Sequence, residues 1–337
     1  MLLYWLRYGR ERLCGLARAG LLLCIPLCGA PARALEAGDH EVAVSAAASA
    51  RRYIVHVPQK PAPLPALILN LHGGGGEARG HQRYVQMDAL AEREGFLVAY
   101  PYGSGGFGGR FLTWNAGSCC GPSARNDIDD LGFLRDLLDD LRKRIPYDRA
   151  RVYATGLSNG AMMSYRLAAE MPERIAAIAP VAGSMVLPAF NPNNPNNANN
   201  PARPVPVMHV HSVDDTRALY AGGLAPAFPG TNTQTLHPPV EAQLAKWAQA
   251  NGCKGTPVAS EEKEWRGASG ALHSATRLAY QGCLAETSLW KLTGPGHVWP
   301  GGRLDYLPAL LGPGTQVIDV NEEMWRFFAR HRLPGAN

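Results

Sequence analysis

The chain has 337 residues, 46% hydrophobic and 18% charged, the composition of a globular protein with a sizeable core and length enough for one large α/β domain or two ordinary ones. Its formal charge of +5 is concentrated at the amino end, where Arg7, Arg10, Arg12, Arg18 and Arg33 stand against Glu11. That segment accounts for +4 (5 − 1) and leaves residues 35–337 near +1, a balance that argues against nucleic acid as a partner.

In chain order, residues 1–34 read as a secretory signal. A basic leader precedes an apolar run at 19–30, too short to span a bilayer, and Ala32-Arg33-Ala34 fits a small-x-small cleavage site. The mature chain is expected to begin near Leu35 and to be extracellular or periplasmic, without a membrane attachment; an uncleaved anchor helix is the alternative. Four cysteines remain beyond the leader. Cys253 and Cys283 flank a polar stretch that a disulfide could staple, whereas the adjacent Cys119 and Cys120 either bridge each other or stay free. No Cys-x-x-Cys or His-x-x-x-His spacing points to a metal, and none is expected.

Residues 42–57 alternate loosely, as two antiparallel edge strands would. Residues 66–71 form a continuous apolar run, the pattern of a buried central strand, and His72 and four glycines follow at once. A helix is expected over 85–94, closed by Gly95, then a buried strand over 96–100 and a flexible loop over 103–109 leading to residues 113–121. Asn126 or Asp127 should cap a long helix reaching Ile145, with Ile128, Leu131, Leu134, Leu138, Leu141 and Ile145 on one stripe and its aspartates on a solvated face. Strands are expected at 151–155, 175–181, 205–211, 276–280 and 287–292, and helices at 161–171, 239–250 and 320–330. The Asn/Pro-rich residues 188–204 read as a surface insertion. Strands alternating with helices predict an α/β fold whose mainly parallel sheet is covered on both faces, with no break requiring a second domain over 35–337.

Between the strand at 151–155 and the helix at 161–171 stands Gly156-Leu157-Ser158-Asn159-Gly160. A Gly-x-Ser-x-Gly turn between strand and helix presents the Ser hydroxyl at the carboxyl end of the sheet and leaves the next N–H free to face an oxyanion. A free hydroxyl is a poor nucleophile at neutral pH, so Ser158 needs a base, and the base an acid. His297 follows a late strand among glycines that let its loop reach the turn; Asp214 and Asp215 end the strand before it. The order Ser, Asp, His is that of the α/β-hydrolases. The glycines at 73–76 can bring a second N–H, that of Gly74, to the oxyanion faced by Asn159. A phosphate-cradling role for the same glycines fails because no Lys-Ser/Thr follows and no dinucleotide-type spacing is present, so no cofactor is implied.

His72-Gly73-Gly74-Gly75-Gly76, Trp114-Asn115-Ala116-Gly117-Ser118-Cys119-Cys120-Gly121, Gly156-Leu157-Ser158-Asn159-Gly160 and Gly296-His297-Val298-Trp299-Pro300-Gly301 occur in this order. Together they resemble the secreted poly(3-hydroxybutyrate) depolymerase-like esterases, a family shared with feruloyl and acetylxylan esterases, over roughly residues 45–330. The resemblance implies an α/β-hydrolase fold, Ser158 as nucleophile, His297 as base and, in place of the family's His-Gly-Thr-x-Asp run, Asp215 of His211-Ser212-Val213-Asp214-Asp215 as acid, with Asp214 as the alternative. It implies an ester substrate: a hydroxyalkanoate polyester or its oligomers, or a phenolic or acetyl ester of plant polysaccharide. Trp114 and Trp299 are candidates to line a groove for a polymer or an aromatic acyl group, with buried packing as the other reading. A binding protein on a hydrolase scaffold, or a peptidase or acyltransferase, are remoter alternatives.

Overall fold

The computed structural model describes residues 35–44, 51–106, 108–193, 200–226 and 234–335. The expected signal segment at 1–34 and residues 194–199 of the Asn/Pro stretch lie outside these. From the amino end, β1 (Gly38–Val44), β2 (Arg51–Val57) and β3 (Leu67–Leu71) lead to α1 (Ala78–Val85), α2 (Met87–Glu94) and β4 (Leu97–Pro101). Then come α3 (Gly121–Arg125), α4 (Asp130–Arg144), β5 (Val152–Leu157), α5 (Asn159–Glu170), β6 (Ala177–Val181) and β7 (Val207–Ser212). A small ribbon of β8 (Gly223–Leu224) and β9 (Leu236–His237) precedes α6 (Val240–Ala250), the hairpin β10 (Lys254–Arg266) and β11 (Leu272–Gln281), β12 (Thr287–Thr293), α7 (Pro308–Leu311) and α8 (Val320–Phe328).

Ten strands make one sheet in the order β1-β2-β4-β3-β5-β6-β7-β12-β11-β10. The six from β4 to β12 run parallel, and antiparallel pairs flank them at each end. The reason is in the residues. β3 (LILNL) and β5 (VYATGL) are buried throughout, as strands covered on both faces must be. One face is covered by α4, α5 and α6 through Leu134, Leu138, Met162, Leu167 and Trp247. The other is covered by α1, α2 and α8 through Tyr84, Met87, Leu90, Met324 and Phe328. Among the described residues no helix is long and apolar enough to cross a membrane.

Several expected elements differ. The helix expected over 85–94 is two helices, separated by Gln86 in a left-handed conformation (φ 54°). The first went unseen because its buried face includes His81 and Gln82, which carry no apolar period. α4 starts at Asp130, capped by Asp129, whose carboxylate accepts from Gly132 N–H at 2.7 Å. Leu131, Leu134, Leu138 and Leu141 form the expected buried stripe, but Ile128 precedes the helix and Ile145 is its C-cap. Asp130 is fully buried and pairs with Arg51 at 2.8 Å, so not all the aspartates are solvated. β10 was not foreseen: most of its side chains are exposed and the charged run Glu261-Glu262-Lys263-Glu264 hides a strand period. Cys253 and Cys283 are bonded at the open end of the β10–β11 hairpin, and Cys119 and Cys120 are bonded to each other. The stretch at 188–204 is not wholly superficial. Phe190 is buried and stacked on Trp247 with ring centroids 5.2 Å apart.

Candidate active site

β5 runs into α5 through a single residue, Ser158, with φ 57° and ψ −117°. A non-glycine residue in this region is strained and persists only where its surroundings fix it. The surroundings are close. A Cβ on Gly156 would lie 2.5 Å from the Leu71 carbonyl oxygen, and one on Gly160 would collide with the carbonyls of Leu71 and His72. Only glycine at both positions lets the turn press against the end of β3. Ser158 N–H donates to Val181 O (2.9 Å), which ties the turn to β6.

Asp215 and His297 come from later crossovers. Asp215 follows β7 and His297 follows β12, neighbouring parallel strands, so both reach the same end of the sheet. His297 Nδ1 donates to Asp215 Oδ2 at 2.7 Å, with both side chains buried. Asp215 Oδ1 accepts from the N–H groups of Arg217 (2.7 Å) and Ala218 (2.8 Å), and Oδ2 also faces His211 Nε2 at 3.2 Å. Burial alone would raise the Asp215 carboxyl, but the charge and hydrogen bonds of His297 and His211 outweigh it and hold the group well below the usual carboxylate range. Asp214 faces away: its Oδ2 accepts from Gly294 N–H at 2.7 Å. The geometry therefore pairs His297 with Asp215 and makes Asp214 a turn residue.

Behind Asp215 runs a buried chain that no local motif announces. Tyr165 O–H meets His209 Nδ1 at 3.0 Å, His209 Nε2 meets His211 Nδ1 at 3.1 Å, and His211 Nε2 lies 2.7 Å from Ala218 O. With Ala218 O and Asp215 as acceptors, His211 carries its proton on Nε2, so His209 donates to it and Tyr165 donates to His209. Burial pushes His209 well below the ordinary histidine range, which keeps that ring neutral.

The glycine loop after β3 is locked by His72. Gly103 N–H donates to its Nε2 (2.9 Å), its Nδ1 donates to Gly73 O (2.8 Å), and burial lowers its pKa to about 4. The loop lies on the serine turn: a Cβ on Gly73 would sit 3.5 Å from Ser158 Cβ, and one on Gly74 3.6 Å from Asn159 Cβ. Gly74 and Asn159 thus adjoin beside Ser158. The Asn159 side chain accepts from Trp114 N–H (2.7 Å) and donates to Trp114 O (3.0 Å), pinning residues 113–121 to the turn.

Ser158, His297, Gly74 and Asn159 all line one cavity of about 700 Å³. This is ample for a small-molecule ligand. Its walls add Leu157, Met162, Leu310 and Leu311, with Tyr84 and Tyr306 stacked at 4.0 Å. Trp114 and Trp299 are not part of it, which corrects their expected place in a groove. Both are fully buried; Trp114 Nε1 donates to His72 O (2.9 Å) and Trp299 Nε1 to Asn321 Oδ1 (3.0 Å), so they hold loops instead of ligand. Conversely, His237, Arg217 and Tyr306 line the cavity without having been singled out as site residues. His237 reaches it through β9, a two-residue strand that sequence periodicity cannot detect. One His/carboxylate group, Asp39, His56 and Asp88, has potential ligand atoms within 4.8 Å of one another. It is joined by its own hydrogen bonds and by Gln82, Tyr100 and Glu92, and none of its residues lines the cavity.

The chain is 30% identical over 290 residues to the protein named "Putative esterase NocK" of Nocardia uniformis subsp. tsuyamanensis, covering 82% of this chain and 78% of that one. It is 29% identical over 212 residues to feruloyl esterase B of Piromyces equi, covering 61% of this chain and 37% of that one. It is 33% identical over 130 residues to poly(3-hydroxyalkanoate) depolymerase C of Paucimonas lemoignei, covering 38% and 30%. Among solved structures, the acetyl xylan esterase from Aspergillus awamori superposes with a TM-score of 0.55 at 17% identity, over 87% of this chain and 99% of that one, a likeness of fold. No family model matches the chain.

Proposed function

Because the chain belongs to the depolymerase-like and feruloyl esterase family of α/β-hydrolases and is a carboxylic ester hydrolase, we propose that it cleaves hydroxyalkanoate-type polyester, or its oligomers, through an acyl-enzyme on Ser158. The reading is carried by the buried His297–Asp215 contact of 2.7 Å, set on the cavity that Ser158 also lines. Ser158 Oγ attacks the ester carbonyl as His297 takes its proton. The N–H groups of Asn159, at the start of α5, and of Gly74 hold the oxyanion. His297 returns the proton to the leaving alcohol and then takes one from the water that frees the acid. Asp215 keeps the imidazole in the required tautomer and stays ionised throughout. No step calls for a metal or cofactor.

Phe111 and Leu307 favour an apolar polyester: they line the same cavity yet are 64% and 51% exposed. Exposed apolar side chains at a cleft mouth fit contact with an apolar substrate. A phenolic or acetyl ester of plant polysaccharide is the second reading. The stacked Tyr84–Tyr306 pair supports it, since it gives an aromatic acyl group a face to pack on. Export through residues 1–34 fits the disulfides of the mature chain, which persist in oxidising compartments.

Parallel hydrolysis of a 3-hydroxybutyrate oligomer, methyl ferulate and acetylated xylan tests the reading. The oligomer should be cut fastest, and Ser158→Ala should abolish activity on all three. Activity retained by Ser158→Ala would remove the nucleophile from the scheme; faster cleavage of ferulate or xylan would move the substrate to the second reading.

A further inference from the structure

The residues between β7 and α6 supply more than Asp215. Arg217 and His237, from the same segment, also line the cavity. Arg217 is held in place twice. Its backbone N–H donates to Asp215 Oδ1 (2.7 Å) and its Nε to Leu310 O (3.0 Å), beside Leu311, whose carbonyl accepts from His297 N–H (2.6 Å). The two Nη groups remain, and among the described residues no carboxylate pairs with them. Asp215 is saturated by His297, His211 and the two backbone N–H groups. The carboxylate in the cavity wall, Glu77, caps α1 through Arg79 N–H and Gly80 N–H.

His237 is only 6% exposed, and its Nδ1 is buried without a hydrogen-bond partner among the described residues. The ring's other nitrogen, Nε2, is the one left to face the cavity. His237 lines the same cavity as Ser158 and His297. Asp215 and His297 both act electrostatically on His237.

We propose that Arg217 and His237 form a carboxylate-binding subsite on the leaving-alcohol side of the cavity, so that the preferred esters carry a free carboxylate on their alcohol half, as the acid end of a hydroxyacid oligomer does. The side follows from the chemistry. His297 protonates the departing alcohol, so the wall shared by His297, Leu310 and Arg217 faces that half of the ester. A planar guanidinium with both Nη groups free matches a carboxylate, and the His237 imidazole, which lines the same cavity, adds a further N–H donor. The inference rests on the acyl-enzyme reading above.

The test compares three esters: the 3-hydroxybutyrate dimer with its free carboxylate, the same dimer capped as a primary amide, and monomethyl succinate, which carries its carboxylate on the acyl half. The protein should prefer the free dimer over the capped one by on the order of tenfold to a hundredfold in kcat/KM. Arg217→Gln should bring that ratio close to one, His237→Leu should lower it several-fold, and Arg125→Gln, at the other arginine of the cavity wall, should leave it. A ratio between two substrates is unaffected by loss of folded protein. Equal cleavage of free and capped dimer by the unmutated protein overturns the subsite, as does a ratio that survives Arg217→Gln or collapses in Arg125→Gln. Faster cleavage of monomethyl succinate than of the free dimer overturns the assignment to the alcohol side. In each case loss of activity in Ser158→Ala would leave the acyl-enzyme reading standing, whereas activity retained in Ser158→Ala would sink that reading first.

Discussion

Asp215 Oδ2 and His297 Nδ1 lie 2.7 Å apart, although 82 residues separate them and each sits in a turn of irregular structure. What joins them is the parallel pairing of β7 with β12, in which His211 lies opposite Lys291 and Ser212 opposite Leu292. Each loop leaves its strand at the same level, and the side chains meet beyond it.

That pairing separates two adjacent aspartates. Asp215→Asn should keep the fold but lower kcat by about 10³–10⁴, because an amide can hold the imidazole in the wrong tautomer. Asp214→Asn should change kcat little, since its partner is the backbone N–H of Gly294. Steady-state kinetics on one ester for both variants decide the matter. The reverse ranking would transfer the acid to Asp214.

The chain Tyr165–His209–His211 ends on the same carboxylate. His211→Leu removes one of the groups that orient Asp215 without touching the substrate. A shift of the acid by a fraction of an ångström should cost roughly tenfold to a hundredfold in kcat, with KM nearly unchanged. If His211 only fills space, a leucine of similar bulk would leave kcat where it is.

The legibility of this molecule in its sequence follows the range of the forces involved. Ser158 and its glycines were readable because one sharp turn fixes all three at adjacent positions. The buried strands were readable because full burial writes an unbroken apolar run. Pairing between distant strands has no local signature, so the sequence left Asp214 beside Asp215 and passed over His237, which lies on a two-residue strand. For Trp114 and Trp299 the sequence leaves groove lining and buried packing open, and what decides between them is an indole N–H that a backbone carbonyl or an asparagine satisfies deep in the core. Buried polar face residues such as His81 and Gln82 masked α1 for the same reason: hydrogen bonding, unlike apolar burial, has no period.

Gly160 offers a direct test of the turn. A methyl group there meets the carbonyls of Leu71 and His72, which are backbone atoms of a central strand and its loop and cannot swing aside. Gly160→Ala should destabilise the fold by about 1–3 kcal/mol, as overpacked cores do. It should lower kcat by about a hundredfold through displacement of Ser158 and Asn159. An alanine variant with unaltered melting and kinetics would mean that the turn is looser than these contacts require.

Mild acid should destabilise the protein through its buried histidines. Burial lowers His72 and His237 to about 4. Unfolded histidines take up a proton near pH 6.5. Between those two values the unfolded chain binds protons that the native state refuses, so stability falls as pH drops from about 6.5 toward 4. Each group should contribute on the order of 1–2 kcal/mol of loss by pH 5. Urea unfolding should therefore show a lower midpoint at pH 5 than at pH 7, and His72→Asn should show a smaller difference. A midpoint unchanged between the two pH values would contradict neutral burial of these rings.

The pair of Arg51 and Asp130 governs the loop that holds Cys119 and Cys120. Asp130 Oδ1 accepts from Arg51 Nη2 (2.8 Å) and its Oδ2 from Asn115 N–H (2.7 Å), while Arg51 lies over the Phe133 ring at 4.0 Å. Burial raises the Asp130 carboxyl, opposed by Arg51 and the Asn115 N–H. Asp130→Asn leaves a buried guanidinium without its counter-charge, which should cost about 3–5 kcal/mol of stability. The double variant Arg51→Met/Asp130→Leu should recover much of that loss, because the charge needing compensation is gone. Thermal or urea unfolding of the single and double variants reads the difference. A double variant no more stable than Asp130→Asn would show that the Asn115 hydrogen bond, not the ion pair, holds the loop against the serine turn.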